Sequence, residues 1–318
     1  MRFRPRSLFA LVLIVDLPAH AVAQSPLASE AVATSQVQAS TQGPSSPEDI
    51  IVQATRQSRR QISQAAQAIT PPGNLDREPA AQFQEPVCPG VVGMPPAFQA
   101  AMVARIKYVA ARANVRVARP GPCKANLLVM FVANGQSAMR SLWRNGPWLF
   151  GDLDRTALQD LAEDPGLGRL AAEPGPVHAW TNIETRGRNG EGLAGGDDTS
   201  IPSTLQTSGG NSHITMEVRK DIVGAVIVID VAAANDLSVT EIADYCAMRG
   251  LAQTRPPAKS GAISTILSLF DEGANPPVEL TKFDLAYLRA IYGSAPYVAG
   301  ISKLAHVARE LRKAAIDD

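Results

Sequence analysis

The sequence predicts an α/β fold in which helices pack on a mixed sheet and the C-terminal part is helical. Apolar runs at 127–132 and 222–231 are typical of strands that are covered on both faces. Stretches with apolar residues at helical spacing, such as the one containing Met102 and Ile106, alternate with these strands. Two capping-box sequences after the last strand predict further helices. Together these observations favour a mixed α/β (α+β) domain.

The first 23 residues are typical of a cleavable signal peptide. Three arginines precede a short apolar run at 8–15, and Ala21-Val22-Ala23 matches the small-x-small pattern of signal-peptidase sites. The run is far shorter than the roughly 20 apolar residues of a membrane-spanning helix. We therefore expect a periplasmic or secreted protein that does not span a membrane once the signal peptide is cleaved.

The signal peptide at 1–23 is followed by a segment of low complexity. Residues 24–82 are rich in Ala, Ser, Gln, Thr and Pro and show little apolar periodicity. Such a composition offers too few core residues to offset the entropy that ordering costs. The sequence thus predicts a disordered tether at 24–82 and a single globular domain at 83–318.

Within the domain, each element has its own local signal. Pro95-Pro96 opens a helix that carries Phe98, Met102, Ile106 and Val109 on one stripe. Apolar or alternating patterns predict strands at 115–117, 127–132, 177–184, 214–218 and 222–231. Further helices are expected around 139–143 and 154–161, and 186–211 has the composition of a loop. Capping boxes at Ser238-Val-Thr-Glu241 and Thr281-Lys-Phe-Asp284 begin helices that end at Gly250 and Gly293, and a last helix begins near Ser302.

The charge balance excludes some partners. The chain contains 30 Lys/Arg and 30 Asp/Glu residues, so no overall positive charge points to nucleic-acid binding. It contains no phosphate loop and no dinucleotide fingerprint, so we expect no cofactor.

The three cysteines predict one disulfide and one buried thiol. Cys88 and Cys123 lie in Pro/Gly-rich loops, and in an oxidising compartment an even pair normally forms a bridge. Closing this loop stabilises the fold by roughly 3–4 kcal/mol in the chain-entropy model. Cys246 shares a predicted helix face with Val239 and Ile242, which favours a buried, inert thiol. The alternative is metal binding by the cysteines, but no C-x-x-C spacing supports it.

Residues 222–293 run as an apolar strand, a capped helix ending in Met-Arg-Gly-Leu, Ser264-Thr-Ile-Leu and then Leu280-Thr-Lys-Phe-Asp-Leu-Ala-Tyr-Leu-Arg-Ala-Ile-Tyr292. This layout resembles the C-terminal half of the metzincin-type zinc proteases, and more closely a family of exported bacterial proteins of unknown function that shares it. The resemblance implies a metzincin-like C-terminal half, with the first of the two helices at the position of the zinc site.

Aligning Gly250 with the glycine of the zinc motif places Ala243 and Ala247 at the two histidine positions and Asp244 at the glutamate position. Alanine cannot bind a metal, and a carboxylate without zinc has no metal-bound water to activate. We therefore expect no metal and no catalytic residues at this position. The favoured interpretation is an exported, non-catalytic binding module, whose partner is a peptide or another envelope protein held where a protease would hold its substrate.

The alternative interpretation is a metal-independent hydrolase. Glu241 and Asp244 lie three residues apart on one helix face and would supply a carboxylate for acid/base chemistry. His178, on a predicted strand, or His213, after the predicted loop and close to Ser208 and Ser212, would supply an imidazole. Structural roles compete with this interpretation: Glu241 belongs to a capping box, and Asp244 complements the N-terminal half of its helix.

Overall fold

The computed structural model describes residues 47–71, 75–150, 175–192, 216–258 and 263–314. The chain divides into two units, Met1–Ser46 and Pro47–Asp318, and all described residues belong to the second. Their helices and strands form the predicted α/β fold.

The sheet contains five strands, four of them parallel. They are β1 (Gln82–Phe83), β2 (Pro89–Val92), β3 (Leu127–Val132), β4 (Val177–Gly187) and β5 (Val218–Asp230). Across the sheet the order is β4-β5-β3-β2, and β1 pairs with the first part of β5 on the same side as β3. β4 is antiparallel to β5, and the described residues contain no strand that pairs with its other edge.

Both faces of the sheet are covered, which explains why β3 and residues 222–229 of β5 are apolar. One face, with Leu127, Val129 and Ile227, joins a large core formed with helices α2 (Pro96–Arg112), α5 (Val239–Leu251) and α6 (Lys282–Tyr292). The opposite face, with Val226 and Val228, packs against α3 (Gly135–Asn145) and the short 3-10 helix Pro147–Phe150. Alternate residues of one strand therefore belong to different cores.

The remaining helices are α1 (Pro47–Ile69), α4 (Val231–Ala234), α7 (Gly300–Leu304) and α8 (Val307–Ala314). Both predicted capping boxes are confirmed, at Ser238/Glu241 for α5 and at Thr281/Asp284 for α6. In each box a hydroxyl and a carboxylate satisfy amide groups that the first helical turn leaves without partners. α5 ends one residue later than predicted, at Leu251.

Several predicted boundaries need correction. Within the described part of that region, the two strands expected at 214–218 and 222–231 are one strand, β5. β5 has one extra residue, Val223, opposite the consecutive residues Asn182 and Ile183 of β4. Residues 115–117 contribute only a single bridge, between Val117 and Val87. The last predicted helix is two short helices, α7 and α8. The helix expected at 154–161 lies outside the described residues.

The predicted tether is wrong for the segment that forms α1. This helix spans Pro47–Ile69 and buries Ile62, Ala66 and Ile69 in the large core. Its packing partners include α7 and α8, more than 200 residues further along the chain. Packing into the large core therefore includes residues of α1 from Ile62 onward, which precede residue 83, and residues 24–46 lie outside the described part of the chain.

The predicted disulfide between Cys88 and Cys123 is confirmed, with Cα atoms 6.2 Å apart. It joins the residue before β2 to the loop before β3. The same loop is also held by backbone hydrogen bonds, from Val87 N–H to Arg116 O and from Ala118 N–H to Val87 O. In the residues that the structure describes, no helix is both long enough and apolar enough to cross a bilayer.

A lysine is buried where α7 meets the sheet. The side chain of Lys303 is 0% exposed, and its ammonium group donates to Gln82 Oε1 of β1 and, at 3.3 Å, to the carbonyl of Ile291 in α6. Desolvation lowers the pKa of Lys303 to about 7. Folding near neutral pH thus requires this side chain to give up its proton or to carry a desolvated charge.

Because Lys303 is buried, we expect the free energy of unfolding to rise with pH. Between the folded pKa of about 7 and the unfolded value of about 10.4, the unfolded chain binds a proton that the folded chain lacks. The free energy of unfolding should therefore rise by about 2 kcal/mol from pH 7 to pH 9 owing to Lys303 alone. The buried thiol of Cys246, whose pKa is raised by burial, acts in the opposite direction.

The measurement is the difference between wild type and Lys303→Met in urea-unfolding curves at pH 7, 8 and 9. The wild-type free energy of unfolding should rise relative to the variant across this range. Lys313→Met, at an exposed position of α8, serves as the control and should follow the wild type. The prediction is contradicted if the free energy of unfolding changes with pH by the same amount in wild type and in Lys303→Met.

Candidate functional site

The helix that the resemblance places at the zinc site is α5, and its central residues are buried. Ala243 and Ala247 are both 0% exposed and belong to the large apolar core. Gly250 allows close packing on the sheet, because a Cβ atom there would lie 2.8 Å from Leu127 Cδ1. In the alignment that the resemblance implies, Ala243 and Ala247 take the positions of the two histidines, and neither methyl group can bind a metal.

Asp244, which the resemblance aligns with the catalytic glutamate, forms a buried ion pair with Arg105. Its carboxylate is 0% exposed and accepts two hydrogen bonds of 2.7 Å from the Arg105 guanidinium of α2. The backbone N–H of Leu280, before α6, donates to the same carboxylate at 2.7 Å. The hydrogen bond with Asp244 raises the pKa of Arg105. This arrangement joins α2, α5 and the start of α6, and it leaves the carboxylate no open side from which to take a proton from a substrate.

Glu241 is committed to the cap of α5. Its carboxylate accepts from Ser238 N–H at 2.8 Å, and Ser238 Oγ accepts from Glu241 N–H at 3.2 Å. The capping role predicted for this residue is therefore confirmed. Of the two carboxylates, Glu241 therefore caps α5 and Asp244 forms an ion pair with Arg105.

His178 lies on the opposite face of the sheet from Asp244. It is 1% exposed on β4, on the side of Trp180 and α3, whereas α5 packs on the other side. A Cβ atom on Gly135 would be 2.9 Å from His178 Nε2 and 2.8 Å from Asp230 Oδ1, so both groups border the first turn of α3. A hydrolase that uses His178 would need this imidazole next to a carboxylate of α5. The structure does not bring these groups together.

The other candidates form no second site within the described residues. His213, Ser208 and Ser212 lie outside the described residues. Among the residues that are described, no group of three or more His, Cys, Asp and Glu side chains is arranged to hold a metal ion. Cys246 is fully buried, and burial raises its pKa, so its thiol is poorly reactive in the folded protein.

The motif at 280–292, the most specific part of the resemblance, holds neighbouring segments together through buried hydrogen bonds. Asp284 is fully buried and accepts from Thr265 Oγ1 at 2.6 Å, from Ile266 N–H at 2.9 Å and from the Thr281 hydroxyl at 2.8 Å. Burial raises the pKa of Asp284, and these hydrogen bonds oppose the rise. Tyr287 bonds to Thr70 at the end of α1. The capping box predicted for Thr281 and Asp284 is confirmed, and Asp284 also holds the Ser264-Thr-Ile-Leu segment beside α5.

The outer edge of β4 is the feature with binding capacity that sequence reasoning missed. Asp230 N–H donates to Pro176 O at 2.9 Å, which makes this the first hydrogen-bonded pair of the antiparallel ladder. Hydrogen-bonded and non-hydrogen-bonded pairs alternate along such a ladder. Val177, Ala179 and Thr181 therefore direct their N–H and C=O groups away from β5, towards the outer edge.

The same alternation continues beyond the irregular step in the ladder. Arg188 N–H donates to Glu217 O at 2.8 Å, so residue 188 faces β5 and the odd-numbered residues, including Ile183 and Thr185, face outward. At Ala179 the outward carbonyl accepts from the Arg249 guanidinium at 3.4 Å. The other outward groups of these residues make no backbone pairing within the described chain.

A cavity of about 340 Å³ lies where this edge begins. Pro176, Val177 at the start of β4, Tyr245 and Phe270 form an apolar wall. The two rings are in edge-to-face contact, with centroids 4.9 Å apart. Polar groups at the rim come from Arg255 and from Asp271, whose pKa is raised by burial. A chain added to the outer edge of β4 would pass this cavity with one of its ends.

No known protein-family model, curated protein or solved structure matches this chain. The functional conclusion therefore depends on the geometry of the site and on the sequence resemblance.

Proposed function

We propose that this chain is an exported protein that binds an extended peptide along the outer edge of β4, on a scaffold related to zinc proteases but without their metal ligands. The observation that carries the proposal is the row of outward backbone groups at Val177, Ala179, Thr181, Ile183 and Thr185. Backbone hydrogen bonds to an open strand edge supply affinity for an added strand, and neighbouring cavities supply selectivity for its side chains.

The residues of α5 support binding without cleavage at the zinc-protease position. Ala243 and Ala247 provide no metal ligand, and Asp244 is held by Arg105 and Leu280. A peptide on β4 would meet no activated water from this helix. The hydrolase alternative that uses His178 has no comparable support, because His178 and the carboxylates of α5 lie on opposite faces of the sheet. The version that uses His213 lies outside the described residues.

The disulfide supports export. Structural disulfides persist in oxidising compartments and are rare in the reducing cytosol. Cys88 is buried, and its bridge to Cys123 ties the edge of β2 to the following loop. Together with the signal-peptide pattern of the first 23 residues, this bridge favours a periplasmic or secreted location.

The test is a substitution that removes one outward donor and leaves the sheet intact. Thr181→Pro deletes the outward N–H and places a ring in the path of an added strand, while the pairs on either side with β5 are kept. Thr181→Val is the matched control, because it changes the side chain and keeps the N–H. Peptides selected from a phage-displayed random 12-residue library on wild-type protein serve as the probe.

The affinity of the selected peptides, measured by fluorescence anisotropy, should fall at least about tenfold in Thr181→Pro, since a net hydrogen bond is worth about 1 kcal/mol and the ring adds a steric block. Thr181→Val should bind like the wild type. The proposal is wrong if no peptide is enriched, or if enriched peptides bind Thr181→Pro and wild type equally.

A further inference from the structure

Residues 86–151 have an unusual charge composition. This stretch contains no Asp or Glu, although the whole chain has as many acidic as basic residues. Its basic residues are Arg105, Lys107, Arg112, Arg116, Arg119, Lys124, Arg140 and Arg144. A net-neutral chain thus concentrates positive charge in α2, β2, β3, α3 and their connecting loops.

Five of these cations and one aromatic ring lie in the last turns of α2 and in the loop that follows. We define the basic surface as Lys107, Tyr108, Arg112, Arg116, Arg119 and Lys124. Arg112, Arg116, Arg119 and Lys124 are exposed, and Lys107 is partly exposed. The disulfide to Cys88 and the hydrogen bonds of Val87 with Arg116 and Ala118 hold this loop against the edge of β2.

Within the described residues, no carboxylate neutralises the cations of the basic surface. Arg105, one turn earlier, is paired with Asp244 and Glu279. In the described part of the chain, by contrast, none of the five cations of the basic surface forms an ion pair with a carboxylate. Arg116 donates to the carbonyl of Gln84, and Arg112 lies 5.6 Å from the ring centroid of Tyr108. Their charges are therefore available to an external anion.

Tyr108 indicates what kind of anion this surface suits. The ring is 50% exposed and lies between the guanidinium groups of Arg105 and Arg112, at 5.2 and 5.6 Å from its centroid. An amphipathic ring beside exposed cations suits the boundary between lipid headgroups and acyl chains, where tyrosine is enriched. A soluble polyanion would use the cations and gain little from the ring.

We propose that the basic surface docks the protein on a membrane through anionic lipid headgroups. Clustered Lys and Arg residues are attracted to such headgroups within about a Debye length of the bilayer, and each contributes separately. The outer edge of β4 and the edge of β2 are opposite edges of the sheet. Docking through the β2 side therefore leaves the proposed peptide-binding edge accessible, and it does not depend on that function.

The test compares two double charge reversals that change the net charge equally. Arg119→Glu/Lys124→Glu alters two exposed side chains of the basic surface. Arg140→Glu/Arg144→Glu alters two exposed side chains of α3, outside the surface. Binding of each full-length mature protein is measured by co-sedimentation with vesicles of 30% phosphatidylglycerol in phosphatidylcholine, with pure phosphatidylcholine vesicles as the reference.

The wild type should bind the anionic vesicles and not the neutral ones, and 0.5 M NaCl should release it. Arg119→Glu/Lys124→Glu should bind at least about tenfold more weakly, since each cation near the bilayer contributes separately. Arg140→Glu/Arg144→Glu should bind like the wild type. Tyr108→Ala should also weaken binding while keeping its salt dependence.

Three outcomes would overturn the proposal. The first is wild-type protein that does not bind anionic vesicles. The second is an equal loss in both charge reversals, which would indicate non-specific attraction by overall charge. The third is tight binding of heparin, used as a soluble polyanion, without vesicle binding, which would assign the surface to an acidic polymer.

Discussion

Replacing Arg105 by methionine should lower the free energy of unfolding by about 3–5 kcal/mol. The substitution leaves the Asp244 carboxylate, which is 0% exposed, with a single hydrogen bond from Leu280 N–H. A buried charge without its counter-charge is among the costliest defects in a protein core, because desolvation is no longer offset by the ion pair. Urea unfolding followed by circular dichroism, with the disulfide intact, measures the loss.

The double variant Arg105→Met/Asp244→Leu separates this mechanism from lost packing. Removing both charges should restore much of the stability, leaving a deficit of about 1 kcal/mol for the unsatisfied Leu280 N–H. Arg112→Met is the matched control on the same helix, since Arg112 has no carboxylate partner in the described residues, and it should cost less than about 1 kcal/mol. Additive losses in the double variant would contradict the ion-pair explanation.

Replacing Cys88 and Cys123 together by alanine should lower the free energy of unfolding by about 4 kcal/mol in the chain-entropy model. The bridge spans 35 residues that include the whole of α2, so its removal frees a long loop in the unfolded chain. Urea unfolding of the wild type under oxidising and reducing conditions should show the same difference. The hydrogen bonds of Val87 hold the same loop, so the variant is expected to fold.

The reducing agent supplies the control for this second prediction. The double alanine variant should unfold at the same urea concentration with or without reductant, because its only remaining cysteine, Cys246, is buried and unbridged. A wild-type protein whose unfolding midpoint is unchanged by reduction would show that the bridge contributes nothing to stability.

The features that could be predicted from the sequence are those encoded locally. Apolar runs indicated β3 and residues 222–229 of β5, because strand segments that are buried on both faces are rich in apolar residues. The capping boxes of α5 and α6 depend on residues three apart, so their positions were predicted correctly. The disulfide followed from the compartment and from loop composition.

The features that could not be predicted depend on distant parts of the chain. α1 has few apolar residues, and its helix is stabilised by the burial of Ile62, Ala66 and Ile69 against C-terminal helices. Arg105 and Asp244 are 139 residues apart, and no local pattern pairs them. The outer edge of β4 is a candidate binding edge because β4 is the last described strand on that side of the sheet. The apolar periodicity of a single strand does not indicate its place in the strand order.

The irregular step between β4 and β5 determines how long a partner segment can be. The extra residue, Val223, belongs to β5, while Asn182 and Ile183 are consecutive in β4. The alternation of inward and outward groups on β4 is therefore unbroken from Val177 to Gly187. The outward N–H of Gly187 donates to Glu191 O at 2.8 Å, so the open part of the edge runs from Val177 to Thr185. At about 3.3 Å per residue, this part measures roughly 30 Å. A partner strand of matching length could therefore pair with β4 without a bulge of its own. An extra residue in β4 would instead have changed which residues direct their N–H and C=O groups outward, and the partner would have needed a bulge to follow.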